Sequence, residues 1–104
     1  MFITNSFSLN MVSAFPADIH ANPLTLDEAK NIVSQGIESA VGHEDTAAVF
    51  SSQLGFEVKP NRITISLKKR DRILVGQYKG PRLPEGTKTL PEGATIEWLL
   101  VELK

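Results

Sequence analysis

Two segments with the residue spacing of helices lie between segments rich in strand-forming residues, and this order limits the folds open to the chain. Within TLDEAKNIVSQG (25–36), Thr25 and Glu28 have the spacing of a capping box, and a glycine follows the last turn. The segment HEDTAAVFSSQLG (43–55) carries an apolar stripe and closes on Gly55. Both segments are therefore predicted to be helices.

Segments with the composition of β-strands surround these helices. Residues 61–68, NRITISLK, alternate apolar and polar side chains and predict a half-buried strand, whereas residues 72–78, RILVGQY, predict a more buried one. The turn KKRD (68–71) between them predicts an antiparallel hairpin. Further extended pieces are expected at 2–4, 18–20, 37–41 and 95–104. The chain is predicted to form one α/β or α+β domain, residues 1–104, with a mixed sheet of about five strands and flanking helices.

Composition excludes several classes of site. The 104 residues include no cysteine, which excludes disulfides, thiolate catalysis and the common zinc sites. The two histidines, His20 and His43, lie far apart in sequence, so neither a metal site nor a cofactor is expected. The chain shows no signal-peptide pattern, and no stretch approaches ~18 apolar residues. We therefore expect a cytoplasmic protein with no membrane partner.

The net charge of −1 conceals a strong asymmetry along the chain. Residues 59–88 hold nine of the eleven lysines and arginines against two acids, a net of +7, whereas residues 1–58 have a net of −6. A block of this kind can concentrate positive potential for an anionic ligand. For KKRD alone, solvated side chains at a strand edge and a turn are the simpler interpretation.

His43 stands directly before the second predicted helix, beside Gly42 and two acids. It either caps this helix or points into a site where an anion binds and a proton moves. The free N–H groups of a helix N-terminus suit a phosphate. Their field disfavours a charged imidazole, whereas an approaching phosphate favours it. A histidine in this position can gain a proton when substrate binds and donate it to a leaving alkoxide.

A loop rich in proline and glycine, KGPRLPEGTKTLPEGA (79–94), is long for a compact domain and is a candidate functional loop. The tetrapeptide LPEG occurs in it at 83–86 and again at 90–93. The separation is too short for a structural repeat and predicts two similar turns. Glu85 and Glu92 are therefore both candidate site residues.

Four motifs in order carry a resemblance to a known family: TNSFSLNM (4–11), AVGHEDTA (40–47), KPNRITISL (59–67) and PRLPEG (81–86). With them the chain resembles the viral ring nucleases, small proteins of archaeal viruses, phages and bacterial mobile elements that act as anti-CRISPR proteins against type III systems. The likeness runs from Phe2 to the final strand. The GHxxT and NR patterns are moderately specific, RLPEG alone is weak, and all four in order are a strong signal.

The resemblance implies a homodimer that binds cyclic tetra-adenylate, the second messenger of type III CRISPR defence, and cuts it to linear di-adenylates. It implies action in the cytoplasm, that of the host cell for a viral protein, without duplex nucleic acid as a partner. It places the principal catalytic residue at His43 and the arginine and glutamate of the loop motif at Arg82 and Glu85. The remaining ligand-binding positions that it implies are Asn5, Ser8, Arg62 and Gln77.

Two departures from the family pattern concern the loop. Gly80 and Pro81 precede Arg82, and the proline fixes the backbone where the arginine must turn inward. Many relatives have a short helix after the loop motif, whereas KTLPEGAT (88–95) leaves little room for one.

The residues can be matched to a metal-independent reaction. A ribose 2′-hydroxyl held in line can attack the adjacent phosphorus, leaving a cyclic phosphate and a 5′-hydroxyl. This chemistry needs geometry, positive charge on the phosphorane and a proton for the leaving oxygen. Glu85 is assigned to holding Arg82 or His43, or to the ribose. The other assignments are Asn5 and Ser8 for geometry, Arg62 and Arg82 for charge, and His43 for the proton.

Two other functions are compatible with the same residues. The protein could be a sponge that binds a cyclic nucleotide without cutting it, or a generic RNA- or partner-binding domain whose basic hairpin contacts phosphate. His20 is expected to be merely exposed. Trp98, Tyr78 and the five phenylalanines are expected in the core, with one exposed ring left to stack on adenine.

Overall fold

A five-stranded mixed sheet forms the centre of the molecule, and a computed structural model describes it over residues 1–104. The strands are β1 (Phe2–Thr4), β2 (Ile19–Leu24), β3 (Glu38–Ser39), β4 (Arg72–Lys79) and β5 (Thr95–Leu103). Their order across the sheet is β2-β5-β4-β1-β3. The expected single domain with a mixed sheet of about five strands is therefore confirmed, and of the two classes left open, α/β and α+β, the fold is α+β.

Strand direction determines which residues meet at each end of the sheet. β1 runs parallel to both β3 and β4, whereas β5 runs antiparallel to β4 and β2. The carboxyl ends of β1, β3 and β4 consequently lie along one edge, which we call the carboxyl edge. Asn5, Ala40 and Gly80 are the residues that follow these three strands there.

Both predicted helices are present, with ends close to those expected. α1 (Leu26–Ser34) begins at a capping box, in which the Thr25 N–H donates to Glu28 Oε1 at 2.9 Å and the Glu28 N–H donates to Thr25 Oγ1 at 3.1 Å. The bond from the Thr25 backbone also lowers the pKa of the Glu28 carboxyl. α2 (Glu44–Leu54) ends at Gly55, whose φ of 71° is left-handed.

One face of the sheet is covered by the helices. Ile3, Leu74 and Trp98 project from the strands into a core with Ala47 and Phe50 of α2. The rings of Phe50 and Trp98 are tilted by 57° with centroids 5.0 Å apart, a favourable arrangement for an aromatic pair.

Gly76 lies in β4 directly beneath this aromatic pair. A Cβ added there would lie 2.6 Å from a ring carbon of Phe50 and 2.6 Å from one of Trp98. Gly76→Ala is therefore expected to lower the free energy of unfolding by about 1–3 kcal/mol, measured by urea denaturation. Gly42→Ala is the matched control, because its Cβ would meet only Arg62 at an ordinary 3.6 Å. Equal losses in the two variants would contradict the steric explanation.

The predicted hairpin of residues 61–68 with 72–78 is wrong. The first segment forms no strand; only Leu67 makes an isolated bridge, to Val12. β4 already pairs with β1 on one side and β5 on the other, so it has no free edge for a further partner. The apolar alternation is nevertheless meaningful, since Ile65 and Leu67 are buried against the second face of the sheet.

Two further expectations need correction. The extended piece expected at 18–20 is longer, because residues 19–24 form β2, an edge strand that tolerates Pro23. Not all aromatic residues lie in the core: Trp98 and Phe50 are buried, but Phe15 and Phe56 are 63% and 43% exposed. His20 is exposed, as expected. Neither α-helix has the length and apolar character that crossing a membrane requires.

Candidate active site

His43 occupies the position before the first turn of α2, with extended backbone angles of φ −116° and ψ 129°. Its carbonyl oxygen accepts the hydrogen bond from the Ala47 N–H at 3.0 Å, but its side chain makes no capping bond. The imidazole is exposed, and the first N–H groups of the helix stay open beside it. A side-chain capping role for His43 is therefore not observed.

A cavity of about 650 Å³ opens at this helix end, a volume within the usual range for small-molecule sites. It brings together three residues that the sequence resemblance assigned to the site: His43, Arg82 and Glu85. The other residues that line it are Glu44, Asp45, Thr46, Tyr78, Gly80 and Leu83. Residues from a helix entrance and from the loop after β4 thus face one space at the carboxyl edge.

The backbone around Pro81 is held by local contacts that direct the loop toward this cavity. The Tyr78 hydroxyl donates to the carbonyl oxygen of Pro81 at 2.6 Å. Gly80 passes so close to Ala94 that an added Cβ would lie 2.7 Å from the Ala94 Cβ. Glycine at position 80 therefore permits the start of the loop to pass close to Ala94, the residue before β5. Arg82 lines the cavity despite the proline that precedes it.

Hydrogen bonds of Asn61 hold the segment that carries Arg62 in the same region. The Asn61 N–H donates to the Val41 carbonyl and its side-chain amide donates to the Ser39 carbonyl, both at 2.8 Å. These two bonds fix the segment against β3 and the residues that follow it. The Arg62 side chain consequently lies against Gly42, next to His43 in the chain.

Asn5 and Gln77 line a second cavity, of about 380 Å³, on the sheet surface. Its other lining residues are Ser6, Phe7, Ala21, Val75, Leu99 and Val101. The predicted ligand-binding residues are thus divided between two cavities that both involve β4. Ser8 lines neither; its hydroxyl instead accepts a hydrogen bond from the Asn10 N–H at 3.2 Å.

The positive block of residues 59–88 does not form one patch. Arg62 and Arg82 lie near the carboxyl edge, whereas the KKRD turn and Arg72 lie where β4 begins. The eight residues of β4 separate the two groups by roughly 25 Å. Neither Arg62 nor Arg82 takes part in any ion pair of the chain. Neither guanidinium is therefore held by a carboxylate in direct contact, and the acidic residues nearest to Arg82 are those that line the same cavity, Glu44, Asp45 and Glu85.

The two LPEG segments differ in position. Both glutamates are exposed. Glu85 lines the His43 cavity and forms no ion pair with Arg82 or His43, whereas Glu92 lies outside that cavity, in the turn closed by the hydrogen bond from the Ala94 N–H to the Pro91 carbonyl oxygen. If the ligand is the cyclic tetra-adenylate that the resemblance implies, Glu85→Ala is expected to slow its cleavage by roughly tenfold or more, and Glu92→Ala is expected to leave cleavage nearly unchanged. Steady-state rates of the two variants check this. A larger loss in Glu92→Ala would mean that the motif lies on the second segment.

Comparison with known proteins shows which family the chain belongs to. The sequence model of the STIV B116-like family matches residues 1–97. The chain belongs to this family.

Two similar proteins extend the comparison. The chain is 38% identical over 95 residues to uncharacterized protein 26 of Sulfolobus islandicus filamentous virus (isolate Iceland/Hveragerdi), covering 88% of this chain and 80% of that protein. A solved structure, B116 of Sulfolobus turreted icosahedral virus, matches with a TM-score of 0.80 over 97% of both chains, at 24% identity. The second likeness concerns the fold alone. The chain is thus homologous to proteins of archaeal viruses.

Sequence reasoning missed two residues that line the His43 cavity. Tyr78 was expected in the core, but it is half-buried and its hydroxyl binds the loop. Asp45 is, from the sequence, only one of the two acids beside His43, yet its carboxylate accepts a hydrogen bond from the loop. Gln77 and Tyr78 are neighbours on β4, and Gln77 is exposed. The alternation of side chains along a strand shows which residues share a face, but it does not show which end of the strand lies at a site.

No group of three His, Asp or Glu side chains is arranged to hold a metal ion.

Proposed function

We propose that this member of the STIV B116-like family is a metal-independent ring nuclease that binds cyclic tetra-adenylate and cleaves it to linear di-adenylates. One observation carries the proposal: a histidine with a free side chain, at an open helix N-terminus, shares a cavity with an arginine and a glutamate. These are His43, Arg82 and Glu85. The resemblance to viral ring nucleases supports the same three assignments.

The proposed reaction uses the substrate's own hydroxyl. The 2′-oxygen forms a bond to phosphorus while the bond from phosphorus to the 5′-oxygen breaks; the 2′-hydroxyl proton passes to solvent. His43 in its protonated form donates a proton to the departing 5′-oxygen. Arg82 and Arg62 stabilise the negative charge that develops on the phosphorane. The products carry a 2′,3′-cyclic phosphate at one end and a 5′-hydroxyl at the other.

We further propose that two copies of the chain form the working enzyme. A four-fold ring has two equivalent scissile positions, and a two-fold axis would place one His43 at each. A chain of 104 residues also has little surface with which to enclose such a ligand alone, and a second copy would supply the rest of the wall. Light scattering with and without ligand tests it. A monomer under both conditions would contradict the dimer.

One experiment tests the function as a whole. Purified protein is incubated with cyclic tetra-adenylate in the presence of a chelator, and the products are identified by mass. Linear di-adenylates with a cyclic phosphate are the expected result. Intact ring that is recovered after denaturation would indicate a non-catalytic sponge. Equal affinity for the ring and for linear oligo-adenylate, with a steep loss in salt, would indicate a generic RNA-binding domain.

A further inference from the structure

The loop that carries Arg82 and Glu85 has one hydrogen bond to a helix. The Gly86 N–H donates to Asp45 Oδ1 at 3.2 Å. Asp45 is a half-buried residue in the first turn of α2, whereas Gly86 is exposed. All other hydrogen bonds of residues 80–93 are made within the loop or to the strand residues that flank it. The Asp45 contact is therefore what joins the loop to α2.

The bond acts on the peptide group next to Glu85. Residues 84–87 form a tight turn, in which both the N–H and the hydroxyl of Thr87 donate to the Pro84 carbonyl oxygen. Gly86 has a φ of 83°, as the third residue of such a turn requires. The N–H that Asp45 binds belongs to the peptide plane between Glu85 and Gly86. The Pro84 carbonyl, which Thr87 binds, belongs to the plane on the other side of the Glu85 Cα. With both planes held, the direction in which the Glu85 side chain leaves the backbone is fixed.

We propose that Asp45 is a positioning residue that holds the Glu85 turn against the helix end carrying His43. The inference rests on the proposed function and adds a residue to it. His43 and Asp45 are two positions apart at the start of α2, and the buried stripe of Ala47, Phe50 and Leu54 anchors that helix in the core. The contact thus ties an exposed loop to the most firmly packed part of the site.

A simpler role for Asp45 would be to complement the positive end of the helix dipole. The two roles make different demands on the side chain. The dipole role requires negative charge and would be shared by Glu44, which lies in the same turn and forms no hydrogen bond with the loop. The positioning role requires only an acceptor oxygen at the place of Oδ1. Asparagine keeps that oxygen and removes the charge.

The test compares Asp45→Ala with Asp45→Asn, which is the matched control because it removes the charge and keeps the acceptor oxygen. The first measurement is hydrogen exchange of the Gly86 amide by NMR. Asp45→Ala should speed this exchange by about tenfold, because the amide loses a charged acceptor, and Asp45→Asn should restore most of the protection. The second measurement is turnover of cyclic tetra-adenylate. Asp45→Ala should lower kcat by about tenfold or more, with a smaller change in KM, and Asp45→Asn should recover it.

Each outcome decides between the explanations. Unchanged Gly86 exchange in Asp45→Ala would overturn the contact. An Asp45→Asn variant as slow as Asp45→Ala would assign the effect to charge and overturn the positioning role. If the wild type leaves the ring uncut while Gly86 exchange responds as expected, the substrate assignment falls and the Asp45 contact stands.

Discussion

Replacing His43 with alanine is expected to abolish ring cleavage and to leave ring binding largely intact. Cleavage should fall by about 10²–10⁴, the usual contribution of a general acid, because no other histidine lines the cavity to supply the proton. Binding should persist because the open N–H groups of α2 and the two arginines remain in place. Single-turnover rates measure the first effect, and equilibrium titration with labelled ring measures the second.

His20→Ala is the matched control for this variant. His20 is the second histidine of the chain and lies exposed on β2, so its removal should change neither quantity. Early products should carry the 2′,3′-cyclic phosphate, and wild-type turnover should continue in chelator. A His43→Ala protein that cuts at the wild-type rate would refute the mechanism. A wild type that stops in chelator would do the same.

Arg82→Ala is expected to lower cleavage by about 10²–10³ and to weaken ring binding as well. Removal of one group that stabilises transition-state charge typically has an effect of this size. Arg82 takes part in no ion pair, so its guanidinium can bind a phosphate without first breaking a contact with a carboxylate. Arg82→Lys should recover only part of the loss, because lysine keeps the charge but not the two-pronged geometry of the guanidinium.

Arg72→Ala provides the corresponding control. It removes the same side chain from the opposite end of β4, where it is exposed and outside the His43 cavity. Binding and cleavage in this variant should stay close to those of the wild type. If Arg72→Ala weakened both as much as Arg82→Ala, the ligand would be attracted by overall charge, and the loop motif would have no special role.

Local signals in the sequence predicted the local parts of the fold well. The capping box of Thr25 and Glu28 and the terminal glycine at Gly55 gave both helices to within about a residue or two of their ends. These features depend on neighbours three or four positions away, all of which are visible in the sequence. Strands β4 and β5 were also predicted, because both are rich in β-branched and aromatic residues.

Pairing between strands could not be predicted in the same way. Residues 61–68 have the alternation of a strand, but whether they pair depends on whether β4 has an edge to offer. That is decided by β1 and β5, which come from the two ends of the sequence. The same reasoning explains β2. Its His20, Asn22 and Pro23 are poor signals for a strand, and it exists because β5 presents it with an edge.

The candidate site likewise contains residues that the sequence predicted and residues that it did not. The resemblance placed His43, Arg82 and Glu85 together, and they do line one cavity. Asp45 was missed because its contact is with Gly86, 41 residues away, and no local pattern marks a carboxylate that accepts a bond from a loop. Tyr78 was missed because its ring is half-buried like a core residue, while its hydroxyl serves the loop.

The place of β1 within the sheet has a consequence for how the protein is made. β1 is synthesised first, yet it lies between β3 and β4, and Phe2 pairs with Ile73. On the ribosome the earliest strand therefore has no partner on one side until residues 72–79 have emerged. Contacts this distant in sequence form late because a long loop must close first. Asn5 and His43 consequently meet Gln77 and Arg82 only after β4 and the loop that follows it have been synthesised, so neither cavity has its full set of lining residues before that point.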